Sequence, residues 1–115
     1  STRRKSVLIV GSMMADNSMG RAIIDLALDA SAANSYATAK KKHWSALTKL
    51  GIMPLSQDPF KWIFCLQGRI DLVLASNGGR REDVTATYCK VLRENGHLIL
   101  SGNCGGRIVI PAKKT

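Results

Sequence analysis

At 115 residues the chain has material for one domain with a real core, but not for a second, substrate-binding domain. Its hydrophobic share of 45% suits a globular protein, aromatic residues at 5% leave the packing mostly aliphatic, and no apolar run approaches the ~20 residues of a membrane-spanning helix. Lys and Arg number 17 against 8 Asp and Glu, a net charge of +9. That balance favours polyanionic partners, whether a phosphorylated cofactor, RNA or an acidic protein surface, unless it is simply a solvated basic surface.

The first element is a strand, Val7 to Val10, apolar without alternation as a strand buried on both faces should be. It runs into Gly11. After an irregular stretch, Gly20 opens an amphipathic helix from Arg21 to Ala30, with Ile23, Leu26, Ala27 and Ala30 on one stripe. Strand, glycine and helix in this order place a phosphate at a helix N-terminus in dinucleotide-binding βαβ folds. Ser35 to Ala39 reads as a second strand, and Trp44, Leu47 and Leu50 mark a short helix that Gly51 stops. Ile52 to Leu55 supplies a third strand, its Pro54 tolerable on a sheet edge.

Asp58-Pro59 is an N-cap followed by a first-turn proline, which predicts a helix to about Gln67 with Gly68 ending it. Ile70 to Ala75 is a second unbroken apolar strand. Glu82 to Glu94 reads as a helix with Val84, Tyr88, Val91 and Leu92 toward the core; His97 to Leu100 is a fifth strand and Arg107 to Ile110 a sixth. Strands alternating with helices of these lengths predict an α/β fold, a Rossmann-like doubly wound parallel sheet of five or six strands in a single domain. The domain covers residues 7–111, between basic tails at 1–6 and 112–115.

Cys65, Cys89 and Cys104 are an odd set without a C-x-x-C pair, so neither a disulfide framework nor a zinc or other metal site is indicated. Cys65 and Cys89 fall in helical patterns and read as small core residues, while His43 and His97 read as surface positions. Free thiols and a start that runs from Ser1–Lys5 straight into aliphatics, without a signal-peptide pattern, lead us to expect a reducing compartment, the cytoplasm or the mitochondrial matrix. The basic clusters Arg3-Arg4-Lys5, Lys40-Lys41-Lys42, Arg80-Arg81 and Lys113-Lys114 carry no interleaved aromatics of the kind that stack bases.

Four segments carry a family pattern: VLIVG…GRAIIDLALDA, YATAKKKHWSALTKLGI, GRIDLVLASNGG and LRENGHLILSGN, together spanning about residues 7 to 103. In order and spacing they resemble the nucleotide-binding half of the medium-chain dehydrogenase/reductase family, in particular its quinone oxidoreductase and enoyl reductase branch. The resemblance implies that Gly11 and Gly20 flank the pyrophosphate loop, with Ser12, Ser18 and Met19 inside it. It implies too that Ser76, Asn77 and Gly78 lie near the nicotinamide side, and that Ser101 and Gly102 line the nicotinamide pocket. An NAD site needs an Asp or Glu after the second strand for the ribose hydroxyls. Here Ala39 is followed by Lys40, Lys41 and Lys42, so the cofactor expected is NADP(H), its 2′-phosphate attracted by lysines. The alternative is that this run is a solvated helix start.

Two departures bear on function. The loop from Ser12 to Met19 is longer than the family's, lacks a second glycine, and brings Met13, Met14, Met19 and Asp16 to the phosphate space. Asn17 or Ser18 would cap the helix without a ligand, so a degenerate site stands beside a functional one. Family members also bind substrate in a separate catalytic domain, and the isolated chain is expected to lack efficient reductase activity without that domain or a partner chain. Three functions follow in order: the cofactor domain of an NADPH-dependent reductase; a non-enzymatic basic subunit of a larger assembly, RNA-associated in one form; and a methyltransferase, disfavoured because Ala39-Lys40 replaces the ribose-binding acid.

Overall fold

The computed structural model describes residues 5–11, 34–76, 81–101 and 108–111. The strands are β1 (Ser6–Gly11), β2 (Asn34–Thr38), β3 (Met53–Leu55), β4 (Ile70–Ser76), β5 (Leu92–Ser101) and β6 (Ile108–Pro111). They form one sheet in the order β3-β2-β1-β4-β5-β6. β1 to β5 run parallel, as the alternation of elements predicts, and β6 lies antiparallel to β5. The last strand reverses because Ser101 and Ile108 are too close in sequence for the dozen or so residues that a parallel crossover requires.

Both faces of the sheet are covered, which is why β1 and β4 are continuously apolar. Leu8, Val10, Val73, Ala75, Leu98 and Leu100 point to one face, against Trp62, Ile63, Leu66, Val84, Tyr88 and Val91. Val7, Ile9, Ala37 and Leu74 point to the other, against Leu47 and Ile52. The second face is served by helix α1 (Trp44–Lys49), preceded by a 3-10 turn, Lys41–His43. The first is served by helix α2 (Arg81–Tyr88) and a 3-10 turn, Cys89–Val91. Gly51 ends α1 as expected: its φ of +82° is in the left-handed region, and its N–H donates to the Thr48 carbonyl at 3.0 Å. The predicted helix from Arg21 to Ala30, Cys104, residues 1–4 and the tail at 112–115 lie outside the described residues, while Ser6, placed in the first tail from the sequence, opens β1 instead.

Two predicted helices come out differently. Residues 58–67 form two 3-10 turns, Pro59–Lys61 and Ile63–Cys65, rather than one α-helix. The cap is as expected, Asp58 Oδ1 accepting from the Phe60 N–H at 3.1 Å. The path then breaks at Trp62 (φ −141°, ψ −9°), whose indole N–H reaches back to the Ser56 carbonyl at 2.8 Å while its ring stacks on Tyr88, centroids 6.1 Å apart. Anchoring this one large side chain wins over helical continuity. In consequence Cys65 is exposed and not a core residue, and Phe60 and Phe64 stand 70% and 74% exposed; Cys89 is half-buried.

The helix predicted from Glu82 to Glu94 stops at Tyr88, and after the 3-10 turn Leu92 already belongs to β5. Its four core positions hold nonetheless, Val84, Tyr88, Val91 and Leu92 all being buried. Between the pairs Ile70↔Leu92 and Leu72↔His97 the register slips, and Asn95 takes a φ of 68° in the slipped stretch. Gly96 there has no room for a side chain: a Cβ would meet the backbone oxygens of Arg93 and Ile70 at 3.0 Å and of Asp71 at 3.1 Å. Those atoms belong to the paired strands and give way only if the pairing shifts. Gly96→Ala is therefore expected to cost about 1–3 kcal/mol, seen as a lower urea midpoint at unchanged slope.

At the N-terminal edge of the sheet the Ser6 N–H donates to Asp71 Oδ2 at 2.8 Å, and Arg93 Nη1 lies 4.0 Å from Asp71 Oδ1. The Asp71 carboxylate thus fastens the start of β1 to β4. On the first face, burial holds the Tyr88 phenol above its ordinary pKa, and the negative charge of Asp58 pushes the same way. The folded state therefore keeps this proton more tightly than the unfolded chain does. Its contribution to stability is complete below the ordinary tyrosine value of about 10 and is lost as pH rises through the raised folded value. Urea midpoints should fall as pH rises above about 10, and Tyr88→Phe should remove part of that fall; an equally steep fall in the variant would assign it to other groups.

Candidate nucleotide site

The strand order turns around at β1: the chain passes from β1 to β2 and β3 on one side, then to β4, β5 and β6 on the other. In open α/β sheets a crevice opens at such a switch point, outside the C-terminal ends of the strands. The register states which residues reach it. Gly11 pairs with Ser76 and Ser76 with Ser101, so the last residues of β1, β4 and β5 form one row across the sheet. Three positions singled out from the sequence, far apart in the chain, are thereby brought together. Ser12, Ser18, Met19, Gly20, Asn77, Gly78 and Gly102 lie outside the described residues.

On the other side of β1, β2 ends at Thr38 at the same end of the sheet, paired with Leu55 of β3. The Ala39 N–H continues that ladder, donating to the Leu55 carbonyl at 3.0 Å, and Ala39 is buried. Lys40 follows in extended backbone, and the turn Lys41–His43 closes with the His43 N–H donating to the Lys40 carbonyl at 2.9 Å. Lys40, Lys41 and Lys42 are all exposed. No Asp or Glu occurs anywhere from residue 30 to residue 57, so this corner is purely cationic in sequence. The described residues of this stretch offer no carboxylate to a diol, whereas they offer three exposed ammonium groups to an anion.

One residue of this corner has a role that its periodicity conceals. Trp44 reads from the sequence as a mark of the helix's apolar stripe, and its ring does pack against the cluster of Ala39, Leu47 and Ile52. Its indole N–H also donates to the Ala39 carbonyl at 2.8 Å. The available signal was chemical: a tryptophan packed against a core needs an acceptor for its N–H, and the end of β2 is the nearest backbone.

The strand order and its covered faces define the class: a Rossmann-like, doubly wound α/β domain with its switch point at β1. Among solved structures the chain is similar to an alcohol dehydrogenase superfamily protein from Novosphingobium aromaticivorans, with a TM-score of 0.67 and 24% sequence identity over 91% of this chain. The match covers 31% of that protein, so the chain spans less than a third of its length. No protein-family model matches the chain, and no curated protein matches it. What the similarity carries is the fold.

Proposed function

We propose that this chain is the NADP(H)-binding domain of an oxidoreductase of the quinone/enoyl reductase type, working with a substrate-binding domain supplied by further chain or by a partner. The observation that carries the reading is the corner after β2, where three exposed lysines stand and no carboxylate is near in sequence. Cofactors with a free ribose diol are selected by an acid at this place, and those with a 2′-phosphate by cations. The residues present therefore fit the phosphorylated dinucleotide and not its unphosphorylated counterpart. The row Gly11, Ser76 and Ser101 marks the end of the sheet along which the rest of the cofactor would lie, and the similarity to an alcohol dehydrogenase superfamily protein supports the assignment.

The cofactor, when bound, supplies the hydride; the chain's own residues bind and orient it. Lys40 and Lys41, with Lys42 beside them, would hold the 2′-phosphate, and Ser76 and Ser101 would border the nicotinamide end. Titration of NADPH and NADH, followed by calorimetry at low salt, tests the proposal. Tighter binding of NADPH supports it; equal or undetectable binding of both defeats it. A second reading, a basic subunit that kept the fold and lost the cofactor, draws on the +9 charge and on the long loop without its second glycine. It predicts RNA binding that weakens steeply with salt and no dinucleotide binding.

A further inference from the structure

We infer that Trp44 is a positioning residue for the adenosine 2′-phosphate, acting through the lysine turn rather than by touching the ligand. The inference rests on the NADP(H) reading above and names the device that makes the site selective. Exposed lysines are poor selectors by themselves: each holds its charge on a four-carbon stem, and fixing several of them on one phosphate costs side-chain freedom. What reduces that cost is a backbone that already presents the stems together.

The structure provides such a frame at both ends of the turn. Ahead of it, Ala39 is buried and its N–H is bonded to the Leu55 carbonyl. Behind it, Trp44 begins α1, its ring packs on the sheet, and its carbonyl accepts from Thr48 Oγ1 at 2.9 Å. The indole N–H then joins the two ends directly, across to the Ala39 carbonyl at 2.8 Å. Lys40 to His43 are enclosed in the ring so formed, with the His43–Lys40 backbone bond of 2.9 Å inside it. A turn framed in this way favours a ligand bearing a phosphate on the adenosine ribose, because the lysine stems are already presented together.

Trp44→Phe keeps an aromatic ring for packing while removing the N–H together with the second ring of the indole, and the lysine-free background separates the two losses from an effect on the turn. Dissociation constants for NADPH and for NADH would be measured for the wild type, for Trp44→Phe, for the triple variant Lys40→Ala/Lys41→Ala/Lys42→Ala, and for the combination of all four. Loss of one well-made hydrogen bond leads us to expect NADPH binding weakened about 3- to 10-fold in Trp44→Phe, with NADH binding unchanged. In the lysine-free background the Trp44 substitution should have no further effect, because its influence passes through those side chains. Equal weakening of both dinucleotides, or an undiminished effect without the lysines, overturns the inference while leaving the cofactor reading intact. A wild type without preference for NADPH defeats the cofactor reading itself, and this inference with it. A second measurement needs no variant: hydrogen exchange at the His43 amide of the wild type should slow with NADPH and not with NADH, and equal protection by both overturns the inference.

Discussion

Replacing Lys40, Lys41 and Lys42 together by alanine is expected to lower NADPH affinity by about 10- to 100-fold and to leave NADH affinity nearly unchanged. The three side chains are exposed, so each proposed contact with a phosphate is screened and contributes less than about 1 kcal/mol; the expected effect is large because it sums over three cations. Screening also sets the salt dependence. At physiological ionic strength the Debye length is about 8 Å, so the preference of the wild type for NADPH should shrink as salt rises while the weaker NADH binding responds less. The substitutions remove no buried contact, and the thermal midpoint should stay within about 2 °C. Calorimetric titrations at two salt concentrations and one melting curve check all three statements. A loss shared equally by NADH would mean that the lysines attract any anion, and the 2′-phosphate assignment would fall.

The largest effect on stability is expected at Trp62. Its side chain is 6% exposed, packs within the cluster that includes Leu8, Val10, Ile63 and Leu66, stacks on Tyr88, and donates its indole N–H to the Ser56 carbonyl. Trp62→Ala removes the ring, leaves a cavity beneath the turns and strands an acceptor, for a loss of about 3–5 kcal/mol. For a domain of this size that corresponds to about 10–20 °C in the melting midpoint. Phe64→Ala, two residues along the same segment, is the control: Phe64 is 74% exposed, and truncating it should move stability by no more than about 0.5 kcal/mol. Trp62→Phe keeps a ring to stack on Tyr88 while losing the N–H and the second ring of the indole, and should cost about 1–3 kcal/mol, between the other two variants. Equal melting points for Trp62→Ala and Phe64→Ala would contradict the packing described for these turns.

Particular elements show where reading the chain succeeds. β1 and β4 were legible because a strand buried on both faces must be apolar at every position, and Val7–Val10 and Ile70–Ala75 are. Their adjacency, and the parallel run from β3 to β5, follow from strands separated by helix-length connections. The lysine corner was legible because it is a local run directly after a strand, and Gly51 because helix ends leave a chemical mark.

Other features were hidden for reasons that are equally physical. Residues 58–67 carry the cap and apolar spacing of a helix, yet the reach of Trp62 to Ser56 and Tyr88 breaks them into two turns and exposes Cys65. The slip between β4 and β5, the crowding at Gly96 and the early start of β5 depend on a neighbouring strand distant in sequence.

By itself, then, the amino-acid order determined the class of fold, the burial of the central strands and the charge of the corner after β2, because each is a property of a short stretch and its periodicity. Only the tertiary structure decided that Gly11, Ser76 and Ser101 share one row, that β6 runs backwards and that the Trp44 indole closes the lysine turn onto Ala39. These depend on which partner each backbone or side-chain group finds in space, and a hydrogen bond across a sheet or a turn leaves no periodic trace in the chain that makes it.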